Sequence, residues 1–291
     1  ALPYLQAYRD KTFLIKFGGS AMDDARLVKK LMRDIVLLEV LGFNPVIVHG
    51  GGKAISKAMA EAGLEAHFVN GLRVTTPEAI SIVERTLSGT INPGLVQMFR
   101  DYGGKGVGIP GTEIFVGERI HEKDEQGNPI DIGEVGNVIG CLTERITEAL
   151  ELQITPIVSP LAKELGTHKP LNVNADLAAA ALAKELKVPV VVLAHLNRGP
   201  ETRAGKEAGI PRMSDLRESG SIEQDADMIG LLYRSAYYAE DEEKRQQMAG
   251  RANLHLAKNR NGPTGDVPLH FEAELMRFST READEHDQES E

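Results

Sequence analysis

The sequence contains a single cysteine, Cys141, among its 291 residues. One cysteine cannot form an internal disulfide, and it cannot supply the clustered thiolates of a structural zinc site. Its neighbours Ile139, Gly140 and Leu142 favour a packing role, with a reactive thiol as the alternative. A disulfide-stabilised fold and a cysteine zinc centre are both excluded.

Long apolar runs are also lacking. No stretch approaches the roughly 20 apolar residues that cross a bilayer, and the first residues lack the pattern of a signal peptide. We therefore expect no membrane partner and a cytoplasmic location. The 42% of apolar residues suits an ordinary core in one large or two modest domains.

Positive charge is scarce. The chain has 33 Lys and Arg against 43 Asp and Glu, a formal net charge of -10. This balance argues against bulk attraction to nucleic acid, although a local basic site remains possible. The last residues, 279–291, are acidic and carry almost no large apolar side chain, which predicts a disordered tail.

Two glycine-rich turns follow predicted strands. The strand Thr12–Phe17 leads into Gly18 and Gly19, and the strand Pro45–Val48 leads into His49 and the glycines 50–52. Glycines let backbone N–H groups approach phosphate oxygens, and parallel strands would place both turns at one sheet edge. A tight turn between strand and helix is the plainer alternative for each. Neither turn matches GxxxxGK[ST] or GxGxxG.

A third polar cluster precedes a helical pattern. Asn172, Asn174 and Asp176 alternate with apolar residues, so an extended chain would point all three to one side. The residues 176–186 favour a helix, and the apolar run Val190–Ala194 predicts a central strand covered on both faces. Glycine-rich residues 103–140 indicate hairpins or a lid. The fold class predicted is α/β, with a mainly parallel sheet sandwiched by helices.

Four motifs carry a family resemblance. They are KFGGSAM at Lys16–Met22, VHGGGK at Val48–Lys53, NGLRVT at Asn70–Thr75 and NVNAD at Asn172–Asp176. In this order they resemble the N-acetylglutamate kinases of the amino-acid kinase family, over residues 1 to about 187. The resemblance implies ATP-dependent phosphorylation of the side-chain carboxylate of N-acetyl-L-glutamate, in arginine biosynthesis. ATP and Mg²⁺ are the implied cofactors, and a homo-oligomer is the implied assembly.

The resemblance also implies roles for individual residues. Lys16 would stabilise the phosphoryl group in transfer, and Asp176 would orient the catalytic lysines. Arg73 can offer a planar fork to a carboxylate, with an ordinary surface arginine as the alternative. The implied phosphate contacts are Gly18, Gly19 and Gly50, and the implied substrate contacts are Gly51, Gly52, Arg73, Asn172 and Asn174. No metal ligand is assigned.

After about residue 187 the kinase resemblance ends. The Thr-Asp turn and the second catalytic lysine of that family's nucleotide half do not follow. Instead, residues 186–278 resemble the C-terminal end of the bacterial replicative DNA helicase ATPase domain. Its motifs are HLNRG at His195–Gly199, MSDLRESGSIEQDAD at Met213–Asp227, LLYR at Leu231–Arg234 and KNRNGPTG at Lys258–Gly265.

This second resemblance implies a phosphate sensor at His195, where the helicases usually carry glutamine. Arg217 would lie in a region that faces single-stranded DNA, and Lys258 and Arg260 would reach the nucleotide of a neighbouring subunit. The helicase Walker motifs lie upstream of the matched part, where this chain is kinase-like. For the residues 258–265 a plain hairpin between strands at 252–257 and 267–271 is the alternative.

Three domains are predicted: a kinase-like substrate domain at 1–187, a helicase-like segment at 188–278 and the tail at 279–291. The leading hypothesis is an N-acetylglutamate kinase-like protein whose activity is impaired because its nucleotide half is replaced. The alternatives are a helicase fragment that acts on single-stranded DNA only with intact partners, and a junction product without a selected activity.

Overall fold

A computed structural model describes residues 2–22, 24–123, 126–194, 196, 199–203, 210–216, 223, 226–238, 242–275 and 277–281. The chain divides into two compact units, residues 1–194 and 195–291. The predicted boundaries at 187/188 and 278/279 remain predictions. Among the described residues, every helix is too short or too polar to cross a membrane.

The first unit alternates strands and helices. Its strands are β1 (Thr12–Phe17), β2 (Asn44–His49), β3 (Phe68–Val69), β4 (Leu72–Arg73), β5 (Gly106–Ile109), β6 (Phe115–Arg119), β7 (Glu122–Lys123), β8 (Pro129–Ile130), β9 (Val135–Cys141), β10 (Thr155–Val158), β11 (Leu161–Glu164), β12 (Pro170–Val173) and β13 (Val190–Val192). Its helices are α1 (Leu2–Tyr8), α2 (Ala25–Val40), α3 (Gly52–Glu61), α4 (Pro77–Glu84), α5 (Asn92–Asp101), α6 (Glu144–Glu151) and α7 (Ala175–Leu186). A π-helical segment, Arg85–Ile91, joins α4 to α5.

Five parallel strands form the central sheet, in the order β13-β1-β2-β10-β5. Phe17 is level with His49 in the β1–β2 register, so these two strands end side by side. Successive residues of one strand face opposite sides of a sheet, and here both sides are covered. One face packs on α6 and α7 through Leu14, Val46 and Val158, and the other packs on α2 and α5. The predicted α/β class is confirmed.

A second sheet carries the polar cluster of residues 172–176. The strands β11, β12, β9 and β6 pair in that order and close on themselves. β12 ends at Val173, and α7 begins two residues later. The NVNAD motif therefore spans the change from an extended strand to a helix. The closed sheet leads into α7, and α7 packs against the central sheet. Asp176, in the first turn of α7, therefore lies at the end of β1.

One expectation for the first unit is wrong, and a second is confirmed in part. The run 190–194 was expected to form a covered central strand, but β13 is a short edge strand whose described pairing is with β1 alone. Val191 is 53% exposed, so an apolar run did not mean coverage on both faces. The region 103–140 does contain hairpins, β6 with β9 and β7 with β8, but it also supplies β5 to the central sheet.

The second unit contains an antiparallel sheet of four strands in sequence order. They are β14 (Met228–Tyr233), β15 (Arg251–Asn259), β16 (Gly265–Glu272) and β17 (Arg277–Thr280). β15 and β16 form the hairpin that the alternative interpretation of residues 258–265 expected. The dipeptide Asn261–Gly262 lies in the connection between them. The predicted tail lies almost wholly outside the described residues.

Candidate active site

An ion pair lies at the carboxyl end of β1. Lys16 Nζ is 2.5 Å from Asp176 Oδ1, and the two side chains are 9% and 23% exposed. Lys16 comes from the sheet and Asp176 from the first turn of α7. The two residues to which the family resemblance assigns catalysis are therefore brought into direct contact over 160 positions of sequence.

The two glycine-rich turns pack against one another. Gly50 N–H donates a hydrogen bond to the Phe17 carbonyl at 2.8 Å. A Cβ at Gly50 would lie 3.0 Å from Gly18 Cα, and one at Gly18 would lie 3.4 Å from Lys16 Nζ. Gly19 adopts a φ of 58°, which favours glycine. The expected meeting of the two turns at one sheet edge is confirmed. The turns lie so close together that a side chain at Gly18 or Gly50 would press on its neighbours.

Arg73 is tied to the second glycine turn. Its Nη2 donates to the Gly52 carbonyl at 2.8 Å and to Ser56 Oγ at 2.9 Å. The guanidinium also lies 4.7 Å from the centre of the Phe68 ring. At 8% exposure Arg73 is buried, so the interpretation as an ordinary surface arginine is wrong.

The two asparagines of the NVNAD motif have different contacts. Asn172 Nδ2 donates to Thr75 Oγ1 at 3.1 Å, and Thr75 Oγ1 donates to the Arg73 carbonyl at 2.9 Å. Asn174 caps α7, because its Oδ1 accepts from the backbone N–H groups of Asp176 at 2.8 Å and Leu177 at 3.2 Å. Asn172 thus joins the Arg73 segment, while Asn174 starts the helix that carries Asp176.

Two buried residues behind the second turn, His49 and Asn92, were given no role from the sequence. His49 is fully buried and Asn92 is 4% exposed. His49 Nδ1 lies 2.9 Å from the Gly50 carbonyl, and its Nε2 lies 3.2 Å from Asn92 Nδ2. Burial lowers the pKa of His49 to about 4. Histidine beside the glycines was a visible signal, but nothing in the sequence pointed to Asn92.

Cys141 has the environment of a packing residue. It is half-buried and packs against the core on the α7 side of the sheet. Burial, with a smaller contribution from the Glu185 charge, raises the pKa of its thiol to about 11. A thiol with so high a pKa carries little reactive thiolate at neutral pH, which favours packing over the reactive alternative.

The helicase-like candidates lie in the second unit. His195 and Arg217 fall outside the described residues. Lys258 Nζ donates to the Glu223 carbonyl at 2.7 Å, and Arg260 Nη1 lies 3.1 Å from Asp227 Oδ1. Both cations therefore contact the segment that leads into β14. In the part of the chain that the structure describes, no group of three or more His, Cys, Asp or Glu could hold a metal ion.

Comparison with known proteins places the first unit in a family. Residues 11–196 match the profile described as "Amino acid kinase family". Because that match covers more than half of the chain, the chain belongs to the amino acid kinase family. Among its relatives are acetylglutamate kinases. Those of Thermoanaerobacter pseudethanolicus and Halothermothrix orenii are 40% identical over 194 residues and 41% identical over 196 residues.

The relatives are longer than the matched region. Each match covers 66% of this chain but only 63% and 66% of the two relatives. The crystal structure of smu.665 from Streptococcus mutans UA159 matches 64% of this chain and 73% of its own, at 27% identity and a TM-score of 0.56. N-acetylglutamate synthase from Neisseria gonorrhoeae, at 17% identity, covers 94% of this chain and 77% of its own with a TM-score of 0.58. That likeness concerns the fold alone.

A second profile also matches. Residues 175–280 match the "DnaB-like helicase C terminal domain". The two profiles overlap at residues 175–196, which contain α7 and β13. Both resemblances expected from the sequence are thus confirmed, and they meet on one helix and one strand.

Proposed function

We propose that the first unit binds N-acetyl-L-glutamate as an acetylglutamate kinase does, and that the chain transfers phosphate weakly or not at all. The observation that carries this proposal is the Lys16–Asp176 ion pair beside the two packed glycine turns. The substrate is inferred from the relatives, which bear the name acetylglutamate kinase. The cytoplasmic location and the homo-oligomer remain predictions of the same resemblance.

Phosphoryl transfer to a carboxylate asks little covalent chemistry of a protein. The substrate oxygen is already anionic, so no general base is required, and catalysis rests on position and on donors aimed at the transferring group. Lys16 would hold positive charge against that group, and Asp176 would keep the ammonium in place. Arg73, held beside Gly52, would bind a carboxylate of the substrate.

The site fits the phosphate end of ATP. A side chain on either Gly18 or Gly50 would press on the opposite turn, so the turns themselves can offer a phosphate only backbone N–H groups, next to the Lys16 ammonium. When bound, ATP would supply the phosphoryl group, with Mg²⁺ to screen its charge. The part of the family's chain that holds the nucleotide does not follow β13, where the helicase-like match continues to residue 280. We therefore propose impaired transfer.

The transfer step can be tested directly. The full chain is incubated with ATP, Mg²⁺ and N-acetyl-L-glutamate, and acyl phosphate is trapped as the hydroxamate. Asp176→Asn serves as the blank. We expect the wild-type signal to lie close to that blank. Robust turnover above it would contradict the proposed impairment and would mean that other residues complete a nucleotide site.

Substrate binding is tested separately, by calorimetry without nucleotide. N-acetyl-L-glutamate should bind the wild-type chain, and Arg73→Ala should weaken binding by at least about tenfold, as loss of a hydrogen bond to a charged group does. Arg33→Ala is the control, because Arg33 lies exposed on α2. No binding by the wild type, or equal affinities of all three proteins, would overturn the proposed substrate site.

A second candidate function is favoured by the helicase match at residues 175–280. Under it, the second unit contacts single-stranded DNA in an assembly with intact helicase subunits. Fluorescence anisotropy of a labelled oligothymidylate should then show affinity that falls linearly with salt on a logarithmic scale. Arg217→Ala, in the segment that resembles the DNA-facing region of the helicases, should weaken this binding more than Arg277→Ala, the same change of residue type on β17. Binding that ignores salt, or no binding with helicase subunits present, would reject this candidate.

A further inference from the structure

Behind the second glycine turn lies a buried hydrogen-bonded pair that catalysis does not itself explain. His49 ends β2 and is completely buried, with its Nδ1 2.9 Å from the carbonyl of the next residue, Gly50. On the other side of the ring, Nε2 lies 3.2 Å from Asn92 Nδ2. A buried polar pair of this kind must satisfy its hydrogen bonds internally.

The surroundings fix the orientation of the Asn92 amide. Its Nδ2 lies 2.8 Å from the Ile157 carbonyl, which can only accept a hydrogen bond. The group that faces Ile157 must therefore be the NH₂, since an oxygen there would face another oxygen. Gly108 leaves space on the opposite side, where a Cβ would lie 2.1 Å from Asn92 Oδ1.

The amide orientation determines the histidine tautomer. The second hydrogen of Asn92 Nδ2 points to His49 Nε2, so Nε2 must accept and carry no proton. The proton of a neutral ring is then on Nδ1, which donates to the Gly50 carbonyl. The lowered pKa of His49 agrees with a neutral ring at physiological pH.

The π-helical segment before Asn92 packs against the next glycine of the turn, Gly51. A Cβ at Gly51 would lie 2.6 Å from Leu87 Cδ2 and 2.7 Å from Ile91 Cδ1. Both side chains come from the π-helical segment that ends directly before Asn92. Single π-helical turns are often found at functional sites, where the extra residue changes which side chains face inward. Here the segment brings its apolar residues and Asn92 to one turn.

We propose that His49 and Asn92 are positioning residues that fix the Gly50–Gly51 peptide plane, so that the Gly51 N–H is presented to an anionic group of the substrate. In a trans peptide the carbonyl and the N–H point in opposite directions. With the Gly50 carbonyl held toward the buried ring, the Gly51 N–H is directed away from it. The recognised chemistry is a carboxylate or phosphoryl oxygen. This part rests on the proposed substrate site.

The tautomer is tested first, on the wild-type full chain, by nitrogen NMR of labelled histidine. His49→Asn identifies the His49 signals by difference. We expect a protonated Nδ1 and an unprotonated Nε2 at neutral pH. A proton on Nε2, or on both nitrogens, would overturn the proposal whatever the variants do.

The effect on the turn is tested with two substitutions. His49→Leu removes the donor, whereas His49→Asn keeps an amide N–H near the Nδ1 position. We expect the Gly51 and Gly52 amide signals to shift or broaden in His49→Leu and to return toward wild type in His49→Asn. Ile146→Val, a buried change in α6, controls for destabilisation alone. Unmoved glycine amides in a folded His49→Leu protein would reject a positioning role.

A ligand readout separates this inference from the proposed function. His49→Leu should weaken N-acetyl-L-glutamate binding by about tenfold, the scale of one lost hydrogen bond, and His49→Asn should restore most of it. If the wild type itself does not bind, the proposed function fails, but the tautomer and the glycine amides still decide the positioning role. If the wild type binds and His49→Leu binds equally well, the proposal is wrong.

Discussion

At the scale of single residues, the site holds opposite charges that are largely withdrawn from water. The Lys16 side chain is 9% exposed, and that of its ion-pair partner Asp176 is 23% exposed. Removing a charge from water is costly, so each member depends on the other for compensation. A substitution of one partner therefore leaves an uncompensated charge, whereas a paired substitution does not.

This dependence gives a stability prediction. Lys16→Met should lower the free energy of unfolding by about 3 kcal/mol, as does the removal of one partner from a buried pair. The double variant Lys16→Met/Asp176→Asn should recover a large part of that loss, because it leaves no lone charge. Hydrogen exchange of the β1 and α7 amides measures the first unit by itself. A double variant less stable than Lys16→Met would contradict a compensating pair.

His49 gives a prediction for pH. Burial lowers its pKa from 6.5 to about 4, so between pH 6.5 and about 4 His49 is protonated in the unfolded chain but neutral in the native chain. The free energy of unfolding should therefore fall as pH drops from 6.5 to about 4, by about 3 kcal/mol in all. Above 6.5 the contribution is constant.

The control for this pH profile is His49→Asn, which should show a flatter loss of stability over the same range. Glu39, whose pKa is raised by burial, contributes with the opposite sign. That contribution is common to both proteins and cancels in the comparison. Parallel profiles of the two proteins, measured by denaturant unfolding, would show that His49 does not titrate as its burial requires.

Motifs located Lys16, Asp176 and Arg73 because each lies in a short run of distinctive residues. His49 and Asn92 are 43 positions apart in the sequence, and neither residue type indicates that the two are in contact. Only the fold, through the π-helical segment and β10, brings them together. Local patterns could therefore predict the groups proposed to face a substrate, but not the buried groups behind them.

At the scale of elements, α7 connects the site to the core. Its buried face, with Ala178, Leu182 and Ala183, packs on the central sheet, while its first turn carries Asp176. The helix begins because Asn174 accepts two backbone N–H bonds that otherwise have no partner within the helix. The residue with a predicted substrate role is thus also the cap of the helix.

The two roles of Asn174 can be separated. Asn174→Ala should lower the free energy of unfolding by about 1 kcal/mol through loss of the cap, whereas Asn174→Ser should keep most of it. Serine retains a capping oxygen but not the carboxamide. If the carboxamide binds substrate, calorimetry should show weakened N-acetyl-L-glutamate binding in both variants. Full affinity in Asn174→Ser would limit Asn174 to capping.

Strand positions show where element-level prediction stops. β1 was predicted with its observed bounds, Thr12–Phe17, because the apolar run ends at glycine. The run at 190–194 has the same apolar character, yet β13 is an edge strand. An apolar composition indicates that a strand can be buried. Whether other strands flank it on both sides depends on parts of the chain outside that run. Here the segment that follows is helicase-like.

At the scale of the whole molecule, two family matches share α7 and β13. A helix followed by a short apolar strand is common in α/β folds, so the shared residues are locally compatible with both family matches. The match to the acetylglutamate kinase relatives stops at 63% and 66% of their length. If the chain retains only the substrate half of an acetylglutamate kinase, as proposed, it should respond unequally to the two substrates of that enzyme.

We therefore predict that N-acetyl-L-glutamate stabilises the first unit and that ATP with Mg²⁺ does not. A ligand at 100 times its Kd stabilises the native state by about 2.7 kcal/mol, which is readily measured. Hydrogen exchange of the β1 and β2 amides reports on the first unit even if the second unfolds separately. Asp176→Asn and Arg73→Ala provide the comparison for each ligand.

Protection by N-acetyl-L-glutamate alone would mean that the glycine turns and the residues behind them form a working substrate site, and that the nucleotide site is the missing part. Protection by ATP with Mg²⁺, lost in Asp176→Asn, would contradict the prediction, since it would require a nucleotide site built without the family's own second half. Protection by neither would remove the substrate site as well. Which ligand protects the first unit therefore decides which half of the kinase site this chain retains, because each ligand depends on a different part of that site.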